Sequence, residues 1–353
     1  MKVITTIPPY APFLPKLAEN PVIHGVRLNT IMPIKGELDA YLESLKKIMG
    51  DKDIWIDLKC RQIRTSYGFF FKAPEGEPRH YKIDGKDVIL DPSSPKTHGL
   101  LRTPPWAELK IDRKIKIDLS KGPVKCWFQD GKDHAYIAEV IDGNTLIMLD
   151  GPKRVVGGGE SINITDASLE IEGYFTDLDL KWIEAAKKAG IHNYMLSYVE
   201  QDSDIDELLK LDSEAKAIAK IESQKGLDWV KNSYHKYDHD KYDYDGDGRL
   251  MAKRVRLMAA RGDLYVELGI NRPEKIIKAL YKISKADSRA VLASRIFESL
   301  KENPRPTCSD VTDVACMIQM GYKYFMIGDD ICFNEDGLML AIEILSAIGK
   351  EYS

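Results

Sequence analysis

The sequence predicts an α/β fold: a (β/α)8 barrel of the TIM type with a small β-barrel-like domain inserted after its third strand. Two observations predict it. Eight strand-length apolar runs alternate with amphipathic stretches of helical period, and one long interval abandons that alternation for short β-like runs and turn pairs.

The strand-like runs are Val3–Ile7, Val22–Asn29, Ile54–Lys59, Tyr194–Val199, Ala217–Ile221, Val255–Ala260, Ala290–Ser294 and Tyr324–Ile327. Most are apolar or β-branched at consecutive positions, the pattern of parallel strands buried on both faces. The clearest helical stretches between them are Leu38–Met49, Asp177–Lys188, Asp204–Leu211, Pro273–Lys285, Ser309–Met320 and Gly337–Ile348. Thr176 ahead of Asp177 and Asp179, and Pro273–Glu274 in a first turn, are helix-start signals. The interval 64–173 instead holds Lys114–Leu119, Val124–Phe128, Ala135–Val140, Thr145–Leu149 and Ser161–Ile164, divided by Asp84-Gly85, Asp130-Gly131 and Asp142-Gly143. The expected organisation is barrel over 1–63, β insert over 64–173 and barrel again over 174–353. An insert on the loop side of a barrel suggests a lid.

Composition narrows the function. The net charge is −4 from 51 basic and 55 acidic residues, without a long run of one sign, so neither nucleic acid nor an anionic membrane is expected as a partner. No apolar stretch is long enough to span a bilayer, and MKVITTIPPY does not resemble a secretory signal. Five dispersed cysteines without CxxC spacing read as reduced thiols, so a cytoplasmic location is expected.

Barrels of this kind carry chemistry at the C-terminal ends of their strands. Those ends here hold Arg27-Leu28-Asn29, Asp57-Leu58-Lys59, Ser197, Lys220-Ile221-Glu222, Arg261-Gly262-Asp263 and Ser294-Arg295. Glu222 and Asp263, on neighbouring strand ends, suit a hard divalent cation, Mg²⁺ or Mn²⁺, with substrate oxygens completing the shell. Lys220, two residues from Glu222 on one face of the strand, suits stabilisation of developing negative charge or proton transfer. Arg27 offers a fork for phosphate or carboxylate, and the Gly262 and Asp263 amides suit a carboxylate at a helix start. The alternative for all of these is a salt-bridge cluster at the barrel mouth; Asp57, Lys59, Arg64 and Ser197 fit a structural pair or solvated loop group equally.

These segments resemble the pyruvate kinase family along the whole barrel. Arg27-Leu28-Asn29, Ile56-Asp57-Leu58-Lys59 with Ile63-Arg64, Ala219-Lys220-Ile221-Glu222 with Gly226, and Met258 through Leu264 are similar to that family's motifs. So are Glu298-Ser299-Leu300, Asn303 through Thr307 and Asp313-Val314-Ala315. The resemblance implies phosphoenolpyruvate or pyruvate as substrate. It gives Lys220 the charge-stabilising role at the transferred phosphoryl group and makes Arg27 a catalytic and phosphate-binding residue. Ser294 falls near the enolate face, and Gly262, Asp263 and Ser197 in the substrate site. Glu222 and Asp263 become the divalent-metal ligands, Asn29 and Asp57 members of the potassium site, and Arg64 and Pro9 nucleotide contacts.

The sequence also departs from that family. Ile31 and Leu58 stand where hydroxyl residues complete the potassium site, and Gln62 replaces an acidic residue, which argues against potassium activation. Met32 replaces a histidine, Glu200 an arginine, and Gly157-Gly158-Gly159-Glu160 a lysine-bearing segment near nucleotide phosphates. The strand-eight motif reads Gly328-Asp329-Asp330, and the sequence stops after the eighth helix, without the family's C-terminal domain. The expectation is therefore phosphoryl transfer from phosphoenolpyruvate, slow with ADP, with an acceptor other than ADP as an option. Enolate carbon chemistry on an oxo acid and a non-catalytic ligand-binding relative are the rival readings. The partners expected are a small phosphorylated substrate and a nucleotide, with a homo-oligomer left open. Asp243 through Leu250 resembles half of a calcium loop but lacks its closing glutamate at Arg254, so a solvated acidic loop is expected. The triple glycine reads as a turn or hinge, and His24 and His192 as isolated packing or surface residues.

Overall fold

A computed structural model describes residues 1–66, 77–83, 85–90, 106–237 and 254–352. The chain divides into two units, Met1–Cys60 with Phe175–Ser353, and Arg61–Tyr174. The candidate calcium loop and Asp84 of one turn pair lie outside the described residues.

The first unit is a closed barrel of eight parallel strands. They are β1 (Lys2–Thr6), β2 (Ile23–Asn29), β3 (Asp53–Leu58), β4 (Asn193–Leu196), β5 (Lys216–Ile221), β6 (Val255–Ala260), β7 (Val291–Ala293) and β8 (Tyr324–Ile327). Pairing of Lys2 with Tyr324 and of Thr5 with Ile327 joins β1 to β8 and closes the cylinder. The α/β barrel is thus the one that the alternation of the sequence predicts. Four strands end earlier than the hydrophobic pattern suggests, two of them for a backbone reason. Tyr198 after β4 has φ 51°, and Ser294 and Arg295 after β7 have φ 69° and 56°, left-handed conformations that no strand continues through.

Alternation of side chains sends Ile4, Trp55, Met195, Ile218, Met258, Val291 and Met326 into the barrel, where they form a packed interior layer. Gly25 has no side chain because a Cβ there would lie 2.6 Å from the Asp53 carbonyl oxygen, so β2 and β3 approach as closely as they do only with glycine. Buried carboxylates tie helix starts to strand ends. Asp179, fully buried, accepts from the amides of Lys59 (2.7 Å) and Cys60 (3.0 Å) and closes a capping box with Thr176. Asp204 accepts from the amides of Glu200 and Gln201 in the same manner. His24 and His192 are not isolated: His192 Nδ1 lies 2.8 Å from buried Asp212, and His24 Nε2 lies 3.5 Å from Asp53. Among the described residues no helix is long and apolar enough to cross a membrane.

The second unit is built on a five-stranded antiparallel sheet, in the order Ile162–Ile164, Val124–Phe128, Asp133–Ile141, Thr145–Leu149 and Trp106–Lys110. Arg64 bridges to Ser161 and Thr65 to Ile111, so one short segment spans from one edge of this sheet to the other and makes it barrel-like. Its core of Ile63, Leu109, Ile111, Cys126, Phe128, Ile137, Leu146 and Met148, among others, is its own. Asp142 and Gly143, with φ 52° and 77°, supply the positive-φ pair of a tight hairpin turn.

Candidate active site

The C-terminal ends of the barrel strands converge on Lys220. Its ammonium donates to Ser197 Oγ (2.9 Å) and lies 3.2 Å from Glu222 Oε1 and 3.5 Å from Asp57 Oδ1. All four residues are buried. Burial alone would lower the Lys220 pKa, but Asp57 and Glu222 outweigh it and hold the side chain firmly cationic. Ser197 in turn donates to the Leu58 carbonyl (2.9 Å), which fixes the hydroxyl that faces the lysine.

Arg27 meets the same aspartate from the opposite side. Its Nε donates to Asp57 Oδ2 (2.7 Å), its Nη2 lies 2.5 Å from the same oxygen, and its Nη1 donates to Thr6 Oγ1 (2.9 Å). Burial would raise the Asp57 pKa, yet Lys220 and Arg27 bring it below the ordinary carboxylate value. Asp57 is therefore a pivot that holds two cations in fixed orientation, with one carboxylate oxygen toward each. Asn29, its expected companion in a cation site, accepts weakly from the Ile31 amide (3.4 Å), and Leu58 turns a fully buried side chain into the barrel wall.

Glu222 is the electrostatically loaded group. Burial raises its pKa to about 7, with Asp263 adding to the effect, although Lys220 and the Tyr198 amide (2.8 Å to Oε2) oppose it. Tyr198 is itself buried and pushed well above its ordinary value by burial and by the fields of Asp263, Glu267, Glu222 and Glu200. This corner of the mouth thus carries excess negative potential, built entirely from oxygen donors. Among the described residues no three His, Cys, Asp or Glu side chains form a complete cage. Two carboxylates with an open remainder fit a hard divalent cation that shares substrate and water oxygens.

Gly262 and Asp263 lie in the first turn of the helix Arg261–Gly269. Next to them sits Ser294, whose Oγ would be 3.6 Å from a Cβ placed on Gly262. The loop that carries Ser294 is held by Arg261, a residue whose role the sequence did not announce. Its guanidinium donates to the carbonyls of Ser294 (2.9 and 3.1 Å) and Arg295 (3.0 Å) and makes a two-pronged pair with Asp313 (2.8 and 2.9 Å). No sequence pattern marks this anchoring role, because Arg261 reaches the Ser294 loop and Asp313 only once the strands and helices pack.

The remaining expected residues divide between the units. Pro9 is half-buried in the turn after β1. In the insert, Arg64 donates to the Gly159 carbonyl (2.7 Å) and to Gln62 Oε1 (2.6 Å). Gly158 and Gly159 form a turn, as the triple glycine suggests. Glu160, in the segment that replaces a lysine-bearing one, is paired with Arg154 and accepts from the Gly157 amide (2.6 Å), which lowers its pKa. Glu200 likewise accepts from Ser223 Oγ (2.5 Å).

The fold and this mouth define the chain as a (β/α)8 barrel with its charged residues gathered on the face where such barrels do chemistry. The family model described as pyruvate kinase, barrel domain, matches residues 38–332. The chain belongs to the pyruvate kinase family. Among its curated relatives, the pyruvate kinase of Thermoplasma acidophilum is 26% identical over an alignment that covers 99% of this chain and 55% of that protein. That of Thermotoga maritima is 29% identical over 60% of this chain and 47% of its own length, and that of Borreliella burgdorferi 22% over 93% and 63%. The chain spans about half the length of the curated relatives it matches.

Proposed function

We propose that the barrel mouth transfers the phosphoryl group of phosphoenolpyruvate to an acceptor, with a divalent cation held by Glu222 and Asp263. The observation that carries this reading is the placement of Lys220: a buried ammonium kept charged by Asp57 and Glu222, at the strand ends of a pyruvate-kinase-family barrel. Phosphoryl transfer asks little covalent chemistry of a protein; it asks for positioning and for neutralisation of charge on the equatorial oxygens. Arg27, braced by Asp57 and Thr6, orients the phosphate. Lys220 faces the transferred group from the other side of Asp57. The bound cation supplies Lewis acidity toward phosphoryl and enolate oxygens. The amides of Gly262 and Asp263 receive the carboxylate, and Ser294, adjacent to Gly262, lies at the face where the enolate takes its proton. When the bridging P–O bond breaks, its electrons leave with the enolate, which becomes pyruvate on protonation at carbon.

The test is pyruvate release from phosphoenolpyruvate with Mg²⁺ or Mn²⁺, with and without K⁺, across ADP, other nucleoside diphosphates and no nucleotide. Divalent-dependent turnover that needs an acceptor and ignores K⁺ is expected. With Glu160 neutralised by Arg154, repulsion of a nucleotide phosphate by that residue is smaller than the sequence alone suggested. Pyruvate release without any acceptor would replace phosphoryl transfer by enolate chemistry of the same lysine and metal site. Ligand binding without turnover would remove the enzyme reading altogether.

A further inference from the structure

The barrel has a second polar centre, at the end opposite the candidate active site. On β6 the inward positions are Arg256, Met258 and Ala260; the last two belong to the packed interior, and Arg256 lies one layer nearer the N-terminal ends of the strands. Its guanidinium carbon stands 5.0 Å from the centre of the Tyr324 ring and 5.9 Å from that of Trp55. The Lys2 ammonium lies 5.5 Å from the centre of the Tyr324 ring, and His24 meets the same ring edge-on. Two donors in this cluster are buried without a hydrogen-bond partner among the described residues: Nη1 of Arg256 and Nε1 of Trp55, a side chain only 1% exposed. Arg289 Nε is a third, with the Asp287 carboxylate 3.9 Å away.

Buried donors left unmatched lose the hydration they had in the unfolded chain and gain nothing in return, so a fold that keeps them together calls for an acceptor. Charge gives the sign of that acceptor. Lys2, Lys52, Arg256 and Arg289 gather here with Asp53 and Asp287 among the described residues, and both acids already have work. Asp53 pairs with His24, and Asp287 accepts from the amides of Leu257 (2.9 Å) and Arg289 (2.9 Å). Lys52 is spent on the carbonyls of Asn20 and Ile23. The guanidinium of Arg256 is thus stacked and half-buried, with the fields of Asp53 and Asp287 outweighed by its burial, beside an indole N–H that needs the same kind of partner.

We propose that the N-terminal end of the barrel interior binds a small oxyanion, phosphate or a short carboxylate, between the Arg256 guanidinium and the Trp55 indole N–H. Arg289 and Lys2 add positive potential, and Tyr324 holds Arg256 in place by its ring face. This site is separate from the phosphoryl-transfer reading and does not depend on it.

The test follows the indole N–H of Trp55 by two-dimensional NMR of the full chain, its signal assigned from Trp55→Phe. Inorganic phosphate and acetate are titrated in turn against chloride at matched ionic strength, and the Arg256→Gln variant, which leaves every strand-end residue in place, separates binding here from binding at the candidate active site. A saturable displacement of the Trp55 signal with phosphate or acetate is expected, and a response to one alone tells a tetrahedral anion from a planar one. Affinity is expected to fall at least tenfold in Arg256→Gln. Arg256→Lys keeps the charge and loses the fork; it is expected to bind with intermediate strength, and it serves if the glutamine variant does not fold. A Trp55 signal that follows both anions no differently from chloride overturns the proposal, as does unchanged saturable binding in Arg256→Gln.

Discussion

Asp57 and Glu222 show how two buried acids on one lysine come to opposite states. Asp57 is flanked by two cations and stays below its ordinary pKa, whereas Glu222 shares one cation with a neighbouring acid and rises to about 7. Lys220→Met is therefore expected to fold, because Glu222 relieves its burial by taking a proton and Asp57 keeps Arg27. Turnover should fall by about 10²–10⁴, the scale for loss of one preorganised group. The check is single-turnover kinetics beside a thermal melt; near-wild-type rates would make Lys220 a structural residue. Glu222→Ala should abolish divalent-dependent binding of phosphoenolpyruvate in calorimetry, and unchanged metal affinity would remove Glu222 from the cation site. Lys220 and Glu222 were legible because two-residue spacing at a strand end places both on one face. Asp57 and Ser197 were named as well, but their contact with Lys220 was not. Asp57 and Ser197 reach Lys220 only after strands distant in sequence close into a cylinder, and no local pattern records that closure.

At the scale of elements, strand-to-helix junctions are held by carboxylates that sequence reading credits only with helix initiation. Asp179 caps its own helix and also holds the amides of Lys59 and Cys60, so Asp179→Ala should cost about 2–4 kcal/mol, more than an ordinary cap. Urea unfolding measures this, and a loss within 0.5 kcal/mol would show that water replaces the carboxylate. Long amphipathic helices such as Leu38–Met49 and Asp177–Lys188 were readable to the residue, since their apolar stripe repeats over several turns. Leu14–Glu19 and Asp329–Cys332 were not, because so few residues carry no periodicity. In the insert, Glu160 owes its lowered pKa first to the hydrogen bond from Arg154. A carboxylate with a depressed folded value stabilises above its ordinary 4.5 and loses that contribution as pH falls through the folded value. Arg154→Gln should return the Glu160 titration, followed by carboxyl NMR, toward 4.5; an unmoved midpoint would assign the shift to the Gly157 amide instead.

At the scale of the molecule, the insert carries a core of its own, so a fragment of residues 61–174 is expected to keep antiparallel β structure when expressed alone. Circular dichroism and amide dispersion in NMR decide the matter, and a disordered fragment would make its order dependent on the rest of the chain. The existence of two folding patterns was plain in the sequence, because a period of two with turn pairs cannot be confused with βα alternation. The strands Arg79–Ile83, Lys86–Leu90 and Trp106–Lys110 were missed, since charged residues interrupt their alternation.

The separation of β3 from β4 also bears on how the protein is made. As the chain leaves the ribosome, β1 to β3 emerge early and pair with one another, but both outer edges of that ribbon stay open. The partner of β3 begins at Asn193, after the whole insert, and the partner of β1 begins at Tyr324, the last strand of the barrel to be made. Exposed parallel edges are slow to satisfy and prone to pair with the wrong neighbour. In the meantime the insert completes its hairpins from contacts close in sequence, so β8, the last barrel strand to dock, sets when the cylinder loses its open edges.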